Sequence, residues 1–384
     1  SLARTMDLQV RQYESLMHVF SAGNDGNSNC GYGAGAGWGN VTGGHKIGKN
    51  VIAVANLNYF GSLAGSSSRG PAHDGRIKPD ISAKGSDVYS TTDPNDYTTK
   101  SGTSMSCPGV SGSLAQLYQA YKDLNAGAEP MGGLMKALIL NTADDMGNTG
   151  PDFKFGWGQI NNFKAVLALE ENRYLIDEID DGETNTHTIP VPDNVKELKL
   201  MVYWTDKEAT IATNKALVND LDIYVTDLSN QDHLPWLLSH YPHPDSLDKP
   251  AIKGEDHLNN VEQVSILDPE AGIFTLTVEG FEVPTGPQEY YVIYEIIEDE
   301  IAVTYPIGGE TFPPGEGVTI RWDAFGEEDD FTIDYSIDNG QNWNEITDNI
   351  NGSQRHYNWS VPDEITGDAK IRVSRNGLSD ETPD

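Results

Sequence analysis

Cysteine is almost missing from this chain: 384 residues hold only Cys30 and Cys107. Two thiols cannot supply the disulfide framework on which small secreted domains depend, although their scarcity does not exclude secretion. Long apolar runs are missing too. No stretch reaches 18 residues, so no helical membrane span is expected. Basic residues are scarce, 25 Lys and Arg against 59 Asp and Glu, which leaves a net charge of −34. The shortage is uneven. Residues 1–170 carry 13 basic and 14 acidic side chains, whereas residues 171–384 carry 12 and 45. Such a field repels nucleic acid and anionic membrane surfaces, so neither is expected as a partner. It suits solubility in salt or the capture of Ca²⁺. Disorder is not expected downstream, because that half is rich in aromatic and β-branched residues.

A chain of this length predicts two to three domains, each able to bury a core. Up to residue 171, short apolar runs at Val19–Ala22 and Val51–Ala55 alternate with helical patterns. The helices are expected over 3–17, with Met6, Val10, Tyr13 and Met17 on one face, over 103–122, over 133–142, and finally through Leu169. This alternation predicts an α/β domain with a parallel sheet over 1–171. Residues 26–50 are Gly-rich and read as a loop. From residue 172 the period becomes two, as in Lys196–Trp204, Leu221–Thr226, Gly272–Val278 and Tyr290–Ile296. An all-β sandwich with one face of each strand buried is expected over 172–299. A second sandwich is expected over 300–384, where Thr319–Trp322, Thr332–Ser336, Tyr357–Pro362 and Lys370–Ser374 have the same period.

The most informative segment is Ser101-Gly-Thr-Ser-Met-Ser-Cys-Pro-Gly-Val-Ser-Gly112. Ser104 opens an apolar run of helical spacing: Val110, Leu114, Leu117, Tyr118, Tyr121. The N–H groups at a helix start are unpaired and lie in a positive local field. That setting suits a hydroxyl that attacks a carbonyl and then holds an oxyanion. Taken alone, a Gly-Thr-Ser is more often a plain helix cap. Upstream, His18-Val-Phe-Ser-Ala-Gly-Asn-Asp-Gly26 is a short apolar strand running into Asn24.

The two segments together resemble the nucleophile and oxyanion segments of subtilisin-like serine proteases (subtilases). Ser66-Ser-Ser-Arg-Gly-Pro71, Asp74–Ala83 and Phe155-Gly-Trp-Gly-Gln-Ile-Asn161 add to the resemblance. It implies that Ser104 is the nucleophile and Asn24 the oxyanion donor. It further implies that Ala22, Gly23 and Thr103 line the bound substrate; for the Gly-rich loop with Tyr32 and Trp38, a part in specificity and a plain surface insertion are equal readings. The implied activity is endopeptidase cleavage of polypeptides, outside the cell or at its surface. Two departures affect loop geometry: Lys84-Gly85 replaces the usual Pro-Gly, and Gly109 replaces a His five residues after the nucleophile.

Subtilases place the catalytic Asp and His before the oxyanion Asn, and 23 residues precede Asn24 here. His18 belongs to the Asn24 strand and is a poor base, while His45 and His73 have no family counterpart. Both partners are therefore expected outside this chain, in the N-terminal half of its own catalytic domain, leaving the chain alone inactive. A pseudoenzyme and a secreted binding or adhesion module are the competing readings. Residues 172–299 resemble the jelly-roll domain that follows some bacterial subtilases, through Leu217–Ile223, Asn259–Val264 and Gly272–Val278. Residues 300–384 look like an Ig-like accessory module, with a structural Asp-box hairpin at Ser336–Trp343. Relatives of the jelly roll often bind Ca²⁺, so a structural Ca²⁺ site is expected at Asn219, Asp220 and Asp222. Alternation puts the two aspartates on one face of an extended segment.

Overall fold

A computed structural model describes residues 2–211 and 213–383. Residues up to Val191 together with Leu198–Glu295 form one compact unit, and Pro192–Glu197 with the residues from Ile296 onward form another.

The first unit opens with α1 (Leu2–Gln12), β1 (Val19–Ser21), β2 (Ile52–Leu57) and β3 (Ile81–Lys84). The three strands form a parallel sheet in the order β1-β2-β3. All six residues of the central strand β2 are buried, as expected of a continuous apolar run covered on both faces. A hairpin of β4 (Val88–Thr92) and β5 (Asp96–Lys100) then returns the chain to the sheet, where Gly102 N–H donates to Gly85 O at 2.9 Å. There α2 (Thr103–Leu124) begins. Its buried stripe of Val110, Leu114 and Leu117 packs on the strands, and α3 (Gly132–Asn141) and α4 (Asn162–Glu170) follow. The α1 pattern stops five residues short of Met17. Only Asp7 and Val10 of the helix are buried and Tyr13 is exposed, while Met17 packs against the core from outside the helix.

The same unit continues with β6 (Tyr174–Ile179), β7 (Thr184–Val191), most of β8 (Val195–Trp204), β9 (Asp220–Thr226), β10 (Asp232–His233), β11 (Trp236–Leu237), α5 (Pro244–Leu247), β12 (Ile252–Lys253), β13 (Val261–Leu267), β14 (Gly272–Glu282) and most of β15 (Gln288–Glu298); the first three residues of β8 and the last three of β15 belong to the other unit. Two four-stranded sheets result, ordered β10-β9-β14-β7 and β13-β8-β15-β6. One expected feature differs. β8 is buried on both faces from Leu198 to Trp204, because its outer face lies in the same core as α3. All ten residues of α3 are buried, and a Cβ on Gly133 would fall 2.3 Å from Tyr291 Cε2 of β15. Lys199, at a position expected to face water, is instead buried and paired with Glu295 of β15 at 2.7 Å.

Buried polar groups knit the two parts of this unit together. Lys49 Nζ, fully buried, pairs with Asp206 and donates to Lys207 O (2.5 Å) and Ala216 O (2.6 Å). Asn50 donates to Asp206 O and accepts from Asn260 Nδ2. Deeper in, Asp80 holds Lys78 at 2.5 Å and Lys136 at 3.2 Å. Charges this deeply buried persist only when paired and hydrogen-bonded.

The second unit contains β16 (Ile301–Tyr305), β17 (Gly317–Ala324), β18 (Phe331–Ser336), β19 (Asn344–Ile350), β20 (His356–Ser360), β21 (Lys370–Arg375) and β22 (Leu378–Glu381). These form antiparallel sheets β16-β17-β20 and β19-β18-β21-β22. The core centres on Trp322 and Phe331, packed edge to face at 5.2 Å. In the Ser336–Trp343 turn, Ser336 Oγ and both Asp338 oxygens are engaged by the turn's own groups. That is a structural use of these side chains.

Candidate active site

β1 and β3 are parallel, so their C-terminal ends lie at one edge of the sheet. Ligand sites of open parallel sheets form at that edge. β1 runs out there into Ala22, Gly23 and Asn24, and β3 leads through the hairpin to the start of α2. Ser104 is the second residue of α2 and is exposed. Pro108 has no N–H to offer the Ser104 carbonyl. Among the described residues, the Ser104 N–H and Oγ have no hydrogen-bond partner.

Asn24 closes onto the helix start. Its Oδ1 accepts from Thr103 N–H at 3.0 Å and from Thr103 Oγ1 at 3.1 Å, and Thr103 Oγ1 accepts from Gly23 N–H at 3.2 Å. A backbone N–H can only donate, so the atom facing it must be the amide oxygen. This fixes the amide orientation and leaves Nδ2, which has no partner among the described residues, as a free donor. Gly102 makes the close approach possible. Its φ is +149°, and a Cβ would meet Asn24 Nδ2 at 3.3 Å and Oδ1 at 3.4 Å. An exposed hydroxyl thus begins a helix whose Ser104 N–H is free, with a pinned carboxamide against the two preceding residues. This arrangement can present a nucleophile beside donors for an anionic oxygen.

The residues expected to touch substrate fall into distinct settings. Ala22 is fully buried and its N–H pairs with Val54 O. Gly23 has φ +117°, its carbonyl accepts from Ser68 N–H at 2.8 Å, and a Cβ there would press on Lys46 Nζ and Ser68 Oγ. Thr103 is fully buried as the hub described above. Tyr32 and Trp38 are committed to packing: Tyr32 OH donates to His240 O at 2.7 Å, and the buried Trp38 ring has Arg69 and Lys154 on it. Sequence reasoning missed Ser68, which also accepts from Asp25 N–H at 3.1 Å and so braces both neighbours of Asn24. Its place in the Ser-rich run 66–68 was the available signal.

His18 Nε2 meets Gln9 Oε1 at 3.0 Å and its ring stacks on Phe20, with burial lowering its pKa. His45 packs edge-on against Phe20, and His73 is exposed.

Further along the unit, Asp220 and Asp222 lie on β9 as expected. The structure brings His257 to them, not Asn219. Asn219 Nδ2 donates to Thr285 O and Gln288 Oε1, and its Oδ1 accepts from Thr285 N–H. Burial, aided by the charges of Asp220, Glu255 and Glu279, pushes Asp222 up to about 6 against the pull of His257.

Residues 2–158 match the subtilase family (Peptidase_S8), a range that contains both Asn24 and Ser104. The serine protease/ABC transporter B family protein tagA of Dictyostelium discoideum is 24% identical over 58% of this chain and 15% of its own length. A PII-type proteinase of Lactococcus lactis subsp. cremoris is 33% identical over 32% of this chain and 7% of its own length. A subtilisin-like protease of Arabidopsis thaliana is 34% identical over 28% and 18%. The chain thus spans less than a fifth of the length of these relatives. Among solved structures, the self-cleaved protease domain of PatA is 21% identical, with a TM-score of 0.34 over 44% of this chain and 55% of that one. No described helix is long and apolar enough to cross a membrane. Over residues 2–158, this chain thus matches the subtilase family of serine proteases.

Proposed function

We propose that the chain carries the nucleophile and oxyanion half of a subtilisin-like endopeptidase site acting on polypeptides. Ser104 Oγ attacks the scissile carbonyl carbon and its proton passes to a general base. The carbonyl oxygen, now anionic, takes hydrogen bonds from Asn24 Nδ2 and Ser104 N–H. Collapse breaks the C–N bond, the leaving amine takes the proton from the base, and water then hydrolyses the acyl ester on Ser104. The observation that carries this reading is the pinned Asn24 amide, whose Oδ1 is spent on Thr103 so that Nδ2 must point its hydrogens elsewhere. We assign the base and its orienting carboxylate to residues outside this chain. This is supported by the engagement of His18 and His45 with Gln9 and Phe20 and by the unpartnered Ser104 hydroxyl.

The same reading treats 1–171 as the C-terminal part of the catalytic domain, 172–299 as a jelly roll and 300–384 as an Ig-like module. The paired four-stranded sheets of the first unit and the two sheets of the second support it. In the full-length protein, Ser104→Ala should abolish turnover and labelling by a fluorophosphonate. Asn24→Ala should keep KM and lower kcat by roughly 10²–10³, the range known for loss of this donor in a subtilase. An Asn24→Ala enzyme with full kcat would remove Asn24 from the site. Fluorophosphonate labelling of the isolated chain, lost in Ser104→Ala, would show that a base lies within these 384 residues.

A further inference from the structure

β9 carries Asp220 and Asp222 on one face, and the segment before β13 brings His257 across to them. His257 Nδ1 lies 3.3 Å from Asp220 Oδ2 and 3.4 Å from Asp222 Oδ1. One donor atom from each of the three residues lies within 4.8 Å of the others. Four polar atoms of this region are buried without a hydrogen bond: Asp220 Oδ1, Asp222 Oδ1, His257 Nδ1 and Glu262 Oε1. Asp220 and Glu262 are each 1% exposed. The other oxygen of Glu262 accepts from Ile223 N–H at 3.0 Å, which ties this carboxylate to the backbone beside Asp222. His257 Nδ1 and Asp222 Oδ1 have only their ion-pair contacts, and Asp220 Oδ1 and Glu262 Oε1 have no partner among the described residues. Buried polar atoms are almost always paired, so these two orphaned oxygens call for a partner.

The imidazole is held in position. It stacks on Phe281 at 4.4 Å and 21°, and Phe281 sits in the irregularity of β14 between Glu279 and Glu282, opposite Asp222 and Asp220. Lys215 Nζ contacts Asp220 Oδ2 at 3.1 Å and leaves Oδ1 open. Five carboxylates, those of Asp220, Asp222, Glu255, Asp256 and Glu262, gather here against the charge of Lys215 and the ring of His257.

Ca²⁺ does not fit this donor set. It takes six to eight oxygens and has little use for an imidazole. The oxygen expected from Asn219 is committed to Thr285. Two carboxylate oxygens and one imidazole nitrogen instead match the donor types of a small first-row dication, with a further position left to water. We propose that Asp220, Asp222 and His257 form a binding site for such a dication, Zn²⁺ in the first instance, and not for Ca²⁺. The site is independent of the peptidase reading.

The test titrates the metal-free chain with ZnCl₂ alone and, separately, with CaCl₂ alone, by calorimetry at matched ionic strength. One Zn²⁺ per chain is expected at this site, bound at least tenfold more tightly than Ca²⁺. His257→Gln and Asp222→Asn should each lower that affinity tenfold or more. Co²⁺ in place of Zn²⁺ should give a visible absorption band that His257→Gln alters. The His257 ring is about a third exposed, so His257→Gln should keep the far-ultraviolet circular dichroism and melting profile of the metal-free chain; it decides the matter if Asp222→Asn misfolds. Equal Zn²⁺ binding by wild type and His257→Gln overturns the proposal. So does the absence of Zn²⁺ binding, or Ca²⁺ binding that is tighter than Zn²⁺ and survives His257→Gln.

Discussion

Thr103→Val is the sharpest perturbation of the candidate active site, because it keeps the shape of a fully buried side chain and removes only its hydroxyl. Two hydrogen bonds vanish: the one Thr103 Oγ1 accepts from Gly23 N–H (3.2 Å) and the one it donates to Asn24 Oδ1 (3.1 Å). Asn24 keeps its bond from Thr103 N–H, so its amide is loosened, not freed. A neutral hydrogen bond contributes about 1 kcal/mol net, and a donor left unpaired in the interior costs about 1–3 kcal/mol. A local loss of about 2 kcal/mol follows. Native-state hydrogen exchange of the Gly23 amide reads it directly: protection should fall by more than tenfold, since about 1.4 kcal/mol is a factor of ten. The isolated chain suffices for this measurement. The coupling can also be isolated. Thr103→Val and Asn24→Ala should be non-additive in stability by at least about 0.5 kcal/mol, as expected of residues in one network. Unchanged Gly23 exchange, or full additivity of the pair, would refute the claim that Thr103 positions Asn24.

Lys49→Met should destabilise the first unit by about 3–5 kcal/mol in urea denaturation, because it strands the buried Asp206 carboxylate and two carbonyls; a loss below about 1 kcal/mol would mean that the pair adds little. Burial pushes the Lys78 ammonium down from 10.5 to about 8, against the attraction of Asp80. Between those values the unfolded chain binds the extra proton, so this residue's contribution to stability rises with pH and is lost as pH falls through 8. Compared with Lys78→Met, the wild-type chain should therefore gain about 1.4 kcal/mol per pH unit from pH 8 to 10, and a flat or falling difference would contradict the sign.

How much of this could be read from the sequence depends on how local the determining physics is. The α2 helix was legible because its stripe from Val110 to Leu117 has helical spacing and meets the sheet as the spacing requires. The placement of Ser104 at a helix start and of Asn24 beyond a strand end was legible for a similar reason. Each lies in a short segment whose glycines, Gly102 and Gly23, answer to backbone demands made within a few residues. The β4–β5 hairpin was overlooked although its signal was present: Asp93-Pro94-Asn95 separates two β-branched runs, and Asn95 takes the positive φ of such a turn. The double burial of β8 was not legible. Its alternation is real, but Lys199 fills a polar position inside the protein because Glu295, 96 positions away, supplies the opposite charge.

The Asp220–Asp222–His257 cluster shows where a local reading stops. Alternation correctly puts the two aspartates on one face, but it says nothing about what crosses to meet them. Asn219 was grouped with them through adjacency in sequence. Adjacent residues on a strand point to opposite faces, and its amide indeed reaches Thr285 and Gln288 instead. His257 lies 35 positions beyond Asp222, in a stretch whose own pattern carries no metal-ligand spacing. Only the pairing of β9 with β14 and the approach of β13 bring imidazole, carboxylates and the Phe281 ring together. The chemistry changes with that third donor. Three oxygens at one end of a strand would have described a hard-cation site; two oxygens and a nitrogen describe a different ion. Ligand identity in a sheet-borne site is thus decided by the cross-strand partner, which no single segment encodes.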